Sequence, residues 1–312
     1  MPTCPILSDS CKMIHHSTLR LAFHPRKDTF RLACPHRTAQ WIPAEYTEDG
    51  KEPILKVTKS SFGSFQWCPR KYTFSYIDRL RQDQTEAMRK GTIVHNARED
   101  FFNEFDIKKA EGLSHSELVD YCISLHPIDE YHDLYETMSV FEANRFLESK
   151  KDETLDSFLP PGNEVLLDAE IEIDGVPVHL QGIIDRLFVE NGAYIPMELK
   201  TGLWKDYKST MMRQEMAFYK LLLDNAPDEL KIEKGLVPGM EMSHWGWYYP
   251  ASHYVTVEPV KKRTETSLMK NLAKLVEAYR VGLFPTKFFA KTCATCSYFN
   301  ICDATTGPES WL

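Results

Sequence analysis

Apolar positions along the chain change period several times, and each change marks an element. From 86 to about 150 they recur at spacings of three and four through RKGTIVHNARED and YETMSVFEANRFLES, which predicts helices over 86–110 and 114–150. From residue 164 the pattern becomes strand-like. EVLLDAEIEIDG, VPVHLQGIIDRLFVE and AYIPMELKTG predict three strands of a meander, punctuated by turns at Asp174-Gly175 and Asn191-Gly192. Helical spacing returns over 205–224, where Met212, Met216, Tyr219 and Leu223 share one stripe. MSHWGWYYP and YVTVEPV predict two further strands, and a helix over about 264–281 turns Leu268, Leu272, Leu275, Val276 and Tyr279 inward before stopping at Gly282. Upstream, TKSSFGSFQWCPRKYTFSYIDRL reads as a short helix capped by Ser60 or Ser61 and interrupted at Pro69. The sum is one α/β domain over 51–312 with a helical insertion at about 99–150. Residues 1–50 stand apart as a Cys/His-containing extension.

With 312 residues, 43% of them hydrophobic, the chain can bury a sizeable core. It contains no apolar run of about 18 residues and its N-terminus has no apolar signal region, so the expectation is a cytoplasmic protein with no membrane partner. A net charge of −8 argues against coating nucleic acid by bulk electrostatics. It is compatible with an enzyme that holds cations with clustered carboxylates and concentrates basic residues where phosphates lie. Candidate basic groups are Arg70, Lys71, Arg79 and Arg81, then Lys261, Lys262 and Arg263, then Lys287 and Lys291; a solvated face is the alternative for each. In the first 50 residues Cys4, Cys11, His15, His16, His24, Cys34 and His36 offer zinc ligands without a tight pair, so a small β-hairpin extension competes with a structural metal.

The Asn191-Gly192 pair between two apolar runs predicts a two-residue hairpin and thereby a register. If Glu190 pairs with Ala193, Asp185 falls opposite Glu198, with Cβ atoms about 4.5–5.5 Å apart. Lys200 shares the face of Glu198. Two opposed carboxylates destabilise a sheet unless a cation or a raised pKa compensates, and a divalent metal does so best. Mg²⁺ or Mn²⁺ suits oxygen ligands and supplies phosphoryl chemistry. A surface salt bridge to Lys200 is the plain alternative.

GIIDRL followed by ELK resembles the PD-(D/E)xK nuclease superfamily, in its RecB-like branch, and the likeness extends over most of residues 58–304. It implies a restriction-endonuclease-like core, a central mixed sheet flanked by helices. Asp185, Glu198 and Lys200 match the family motif as catalytic residues, and GTIVH matches its G-x-x-x-H element, which implies that His95 joins Asp185 and Glu198 as a metal ligand. Glu170, in DAEIEIDG, is a further carboxylate that either approaches the metal or faces outward. The helix motif Q-x-x-x-Y appears as EMAFY, placing Glu215 where glutamine is expected and Tyr219 in the catalytic set.

Near the C-terminus KTCATCSYFNICD gives Cys293, Cys296 and Cys302, three thiols where four ligands are usual. The resemblance implies the fourth: Cys68, which with the triplet in 285–304 would hold a [4Fe–4S] cluster joining the chain ends, zinc in the same cysteines being the alternative. It also implies activity as a metal-dependent DNA exonuclease acting on single-stranded DNA or DNA ends, in repair, recombination or CRISPR spacer acquisition, with protein partners from those processes. Trp245, Trp247, Tyr248 and Tyr249 are candidates either for stacking on unpaired bases or for the core. A non-catalytic iron–sulfur adaptor that binds DNA ends, or a zinc-binding structural protein, are the other readings.

Overall fold

The computed structural model describes residues 53–80, 82 and 84–306, together with the backbone of four short strands between 20 and 46. Cys4, Cys11, His15, His16, Cys34, His36 and Arg81 lie outside the described residues, and of His24 only the backbone is described. The strands β1 (Arg20–His24), β2 (Thr29–Ala33) and β3 (Trp41–Pro43) form an antiparallel sheet. A two-residue strand, β4 (Glu45–Tyr46), pairs with β5 (Pro53–Thr58).

The helix α1 (Lys59–Trp67) is capped by Thr58, not by either predicted serine. Thr58 Oγ1 accepts from the Ser61 N–H at 3.0 Å and Ser61 Oγ accepts from the Thr58 N–H at 2.9 Å, so Ser61 is the reciprocal partner in a capping box. Cys68 takes an extended conformation that breaks the helix, and Pro69 opens α2 (Pro69–Tyr72), followed by a π-helical turn over Thr73–Ile77. The predicted helix over 86–110 is α3 (Glu86–Glu104) and α4 (Ile107–Ala110). The one over 114–150 is divided by Pro127 into α5 (His115–Ser124) and α6 (His132–Lys151), because proline cannot donate to the helical ladder.

The meander is present as β6 (Gly162–Ile173), β7 (Val176–Glu190) and β8 (Ala193–Leu199). Both connecting turns have positive φ at their two central residues, Asp174 and Gly175, then Asn191 and Gly192, as type I′ requires. The ladder from Glu190↔Ala193 to Arg186↔Met197 has the register that the second turn predicts. The helix α7 (Ser209–Asn225) buries Met212, Met216, Tyr219 and Leu223, and α8 (Asp228–Glu233) follows it. Parallel to β8 runs β9 (His244–Tyr249), and β10 (Tyr254–Pro259) closes that side antiparallel to β9. The chain finishes with α9 (Lys262–Val281), whose predicted apolar stripe is buried and whose stop at Gly282 has φ 72°, and α10 (Ala290–Ala294).

The molecule is thus an α/β fold with a mixed sheet flanked by helices. No described helix is long and apolar enough to cross a membrane. Two compact units can be distinguished. One draws on Glu170–Gln181 with segments before residue 84 and after residue 266; in it β5 pairs parallel with the first part of β7, Leu55↔Val178 through Thr58↔Gln181. The other comprises Gln84–Ala169 and Gly182–Thr266. There α3 and α6 pack Val94, Ala97, Leu134, Tyr135 and Met138 against Leu199 of β8 and Tyr248 of β9. Trp245, Trp247, Tyr248 and Tyr249 are all at most 5% exposed, so these aromatics belong to the core and do not reach a base. The helical insertion has its own apolar centre around Phe101, Phe105, Phe146 and Phe158.

Candidate active site and cysteine cavity

Packing of Val94 and Ala97 against the sheet turns His95, the next residue along α3, toward the end of β8. Its Nε2 lies 3.2 Å from the Leu199 carbonyl oxygen. A ring that donates there directs its Nδ1 lone pair at two carboxylates, Glu164 at 3.4 Å and Asp185 at 3.7 Å. One ligand atom from each of His95, Glu164 and Asp185 lies within 4.8 Å of the others, the spacing of donors gathered round one cation. Burial alone would depress the His95 pKa, but the Glu164 hydrogen bond and the charges of Asp185 and Glu198 prevail and raise it.

Asp185 and Glu198 stand one position beyond the last ladder pair, Arg186↔Met197. Here the link between the strands is no longer backbone to backbone: the Asp185 carboxylate accepts the Leu199 N–H at 2.9 Å. That side-chain link separates the roles of the two carboxylates. Asp185, 8% exposed, goes with His95 and Glu164, whereas Glu198, 2% exposed, accepts from Lys200 Nζ at 2.6 Å and from the Tyr219 hydroxyl at 2.5 Å. The sequence reading expects Glu198 beside His95 and Asp185 as a ligand; Glu164 is a second carboxylate beside that histidine.

Lys200 is held from two sides, its ammonium also donating to Glu215 at 2.8 Å. Burial works against its charge, but Glu198, Glu215 and Asp185 outweigh it and raise the pKa well above the ordinary value. Lys200 therefore stays cationic at neutral pH. Tyr219, expected among the catalytic residues, is fully buried behind Glu198; burial first and the nearby carboxylates second keep its hydroxyl protonated, so it positions Glu198 by donating to it. Glu215, one turn before Tyr219 on α7, replaces the motif's glutamine with a counter-charge for Lys200.

Glu164 escaped the sequence reading. It sits near the start of β6 with φ 47°, a left-handed conformation that side-chain-bearing residues adopt at a cost. A Cβ at Gly162 would meet Val165 Cγ2 at 2.3 Å, so a side chain there would force that neighbour to shift. The Pro-Pro-Gly-Asn run before Glu164 is the available signal, marking an irregular strand entry. Glu170, weighed as an approaching carboxylate, is exposed.

In the other unit, Cys68, Cys293, Cys296 and Cys302 line one cavity, together with Trp67, Phe74, Tyr298 and Phe299 and the cations Arg70, Lys71 and Lys287. Cys68, Cys293 and Cys302 are buried and Cys296 is partly so. The remaining described cysteine, Cys122, is buried in the core of the insertion. Tyr298 braces the triplet: its ring packs on Phe74 with centroids 5.1 Å apart, its hydroxyl donates to the Leu80 carbonyl at 3.0 Å, and Gln82 donates to that hydroxyl at 2.7 Å. A soft four-thiol donor set around a void fits an iron–sulfur cluster or zinc.

Residues 56–303 match the family model described as the PD-(D/E)XK nuclease superfamily. Among solved structures, SSO0001 is 18% identical with a TM-score of 0.32, over 70% of this chain and 97% of that one. An exonuclease candidate from Eubacterium rectale is 10% identical with a TM-score of 0.42, over 80% of this chain and 86% of that one. Rai1 of Scheffersomyces stipitis is 9% identical with a TM-score of 0.24, over 75% and 63%. No curated protein matches the chain. The family assignment rests on the sequence match.

Proposed function

Because the chain belongs to the PD-(D/E)XK nuclease superfamily, whose members are metal-dependent nucleases, we propose that it is a RecB-like deoxyribonuclease that degrades single-stranded DNA from an end, using Mg²⁺ or Mn²⁺. The observation that carries this reading is the meeting of the His95, Glu164 and Asp185 donors with the Glu198, Lys200 and Tyr219 chain where β8 ends beside the middle of β7. His95, Glu164 and Asp185 would hold the cation, whose contribution when bound is Lewis acidity toward a phosphoryl oxygen and toward water.

The protein's own residues supply the rest. Lys200, kept cationic by two carboxylates, offers its ammonium to the negative charge that grows on the phosphoryl oxygens. Glu198, fixed by Lys200 and Tyr219, orients that ammonium and presents an acceptor for a proton from the attacking water. Tyr219 and Glu215 hold these two groups in place from α7.

The four cysteines are read as the ligands of a [4Fe–4S] cluster with a structural role, zinc being the competing occupant. Action in DNA repair, recombination or spacer acquisition, alongside protein partners of those processes, completes the proposal. It is tested by incubating anaerobically purified protein with end-labelled single-stranded DNA and Mg²⁺ or Mn²⁺, beside Lys200→Ala. Metal-dependent degradation lost in the variant is the expected result, with 5′ and 3′ labels reporting direction. DNA binding without cleavage replaces the nuclease with an adaptor. Elemental analysis of the same preparation should find iron, and stoichiometric zinc without iron removes the cluster.

A further inference from the structure

The two halves of the acidic site are joined by residues 200–208, from the end of β8 to the start of α7. This connection is tightly tethered. Trp204 stacks on Tyr254 at a centroid distance of 4.4 Å and an interplanar angle of 6°, and meets the Tyr249 ring edge-on at 5.1 Å. Its backbone N–H donates to Ser252 Oγ at 2.9 Å and its indole N–H to Asp206 at 3.1 Å. Lys208 closes the loop on itself, donating from Nζ to the Leu203 carbonyl at 2.6 Å.

So anchored, the loop displays apolar groups to solvent. Tyr207 is 77% exposed and Leu203 58%, and the Tyr207 ring is neither stacked nor hydrogen-bonded among the described residues. Met211, 47% exposed, lies one helical turn before Glu215 on α7 and so continues the display toward the site. Scattered surface hydrophobics are ordinary, but three within nine residues, two on the tethered loop and one in the first turn of α7, are not scattered. Lys208 sits over the Tyr249 ring at 5.3 Å, and Tyr249 lies within electrostatic reach of Lys200, Glu198, Glu215 and Tyr207 together.

We infer that Tyr207 is a substrate-stacking residue: an unpaired nucleobase next to the scissile phosphate lies on its ring, bordered by Leu203 and Met211, with Lys205 facing the phosphodiester backbone. A flat, exposed ring on a rigid base offers stacking at little ordering cost, and every base has a face to stack. A duplex keeps its bases covered, so this loop selects single strands. The inference rests on the nuclease reading and adds the surface that the buried aromatics of β9 do not supply.

The test compares Tyr207→Ala and Tyr207→Phe with the unaltered protein in steady-state cleavage of a short single-stranded oligonucleotide. Tyr207→Ala should raise KM roughly five- to hundredfold, the range of one base stack, with kcat within about threefold, while Tyr207→Phe keeps the wild-type KM. On an oligonucleotide lacking the base next to the cleaved bond, wild type and Tyr207→Ala should become equal. A 2-aminopurine at that position should be quenched on binding Glu198→Gln protein, and the quench should vanish when Tyr207→Ala is added. Robust wild-type cleavage with KM and quench indifferent to Tyr207→Ala overturns the inference alone, as does an equal loss in the Phe variant. Absence of any metal-dependent cleavage by the wild type overturns the nuclease reading and this inference with it.

Discussion

His95 and His126 lie in the same unit, both among charged residues, and the structure moves them in opposite directions. His95 faces Glu164 and Asp185 at the solvent-touched end of β8, and its pKa rises against the effect of burial. His126 is 6% exposed, sandwiched between Phe101 at 5.0 Å and Tyr135 at 4.9 Å; burial first and the neighbouring Arg98 second push it down to about 4. The lesson is about which charge is in excess. Around His95 carboxylates outnumber cations and donor atoms remain directed at a common point, which suits a ligand. Around His126, Arg98 donates to Glu142 at 2.5 Å and Arg145 to the same carboxylate at 2.8 Å, and Arg98 and Arg145 lie over the Phe101 and Phe158 rings. That cluster is sealed and serves the packing of the insertion.

The contrast breaks most visibly at Glu142. Glu142→Gln leaves the buried Arg98 and the partly exposed Arg145 with no carboxylate between them, and should cost about 3–5 kcal/mol, read as a fall in Tm of roughly 10 °C in thermal denaturation. Cleavage per folded molecule should be unchanged. Lys200→Ala does the reverse: loss of a charge aimed at the transition state should lower kcat by about 10²–10³, with a smaller drop in Tm than Glu142→Gln gives.

A pH titration of stability sharpens the comparison. His126 is neutral in the fold down to about pH 4, whereas the unfolded chain binds its proton near 6.5. Between these values the unfolded state holds more protons, so stability is complete above about 6.5 and is lost as the pH falls toward 4. The loss should be roughly 3–3.5 kcal/mol by chemical denaturation, and His126→Phe, which keeps the ring stack, should remove that part of the pH dependence. The smallest expected effect is at Glu164. Glu164→Gln should weaken Mg²⁺ or Mn²⁺ binding about tenfold or somewhat more by calorimetry, while Glu170→Gln, at an exposed strand position, should leave it unaltered.

The meander and its register were legible because two short signals, Asp-Gly and Asn-Gly, fix both turn type and pairing, and nothing distant overrides them. The buried stripes of α7 and α9 were legible for the same local reason. What periodicity does not contain is the partner of a strand end. Asp185 and Glu198 occupy the predicted register, but the Asp185 side chain replaces a backbone bond there and the two carboxylates acquire different neighbours. Glu164 was invisible because its placement depends on an irregular backbone, and Tyr207 because exposure of a loop ring is a property of what the loop is tied to. The division of 114–150 was written in Pro127, a local breaker that the apolar spacing on either side obscured.

The cysteine cavity ties segments that are far apart in time as well as in sequence. Lys287 donates to the Gln66 carbonyl across 221 residues, beside the cavity that Cys68 shares with the C-terminal triplet. A ribosome adding roughly 5–20 residues per second exposes Cys68 well before the triplet exists, so for tens of seconds that thiol lacks the three other cysteines of its cavity. The cavity is completed only once Cys302 has been made. A chain ended before that point lacks the four-thiol set, and an intact set thereby records that synthesis passed residue 302.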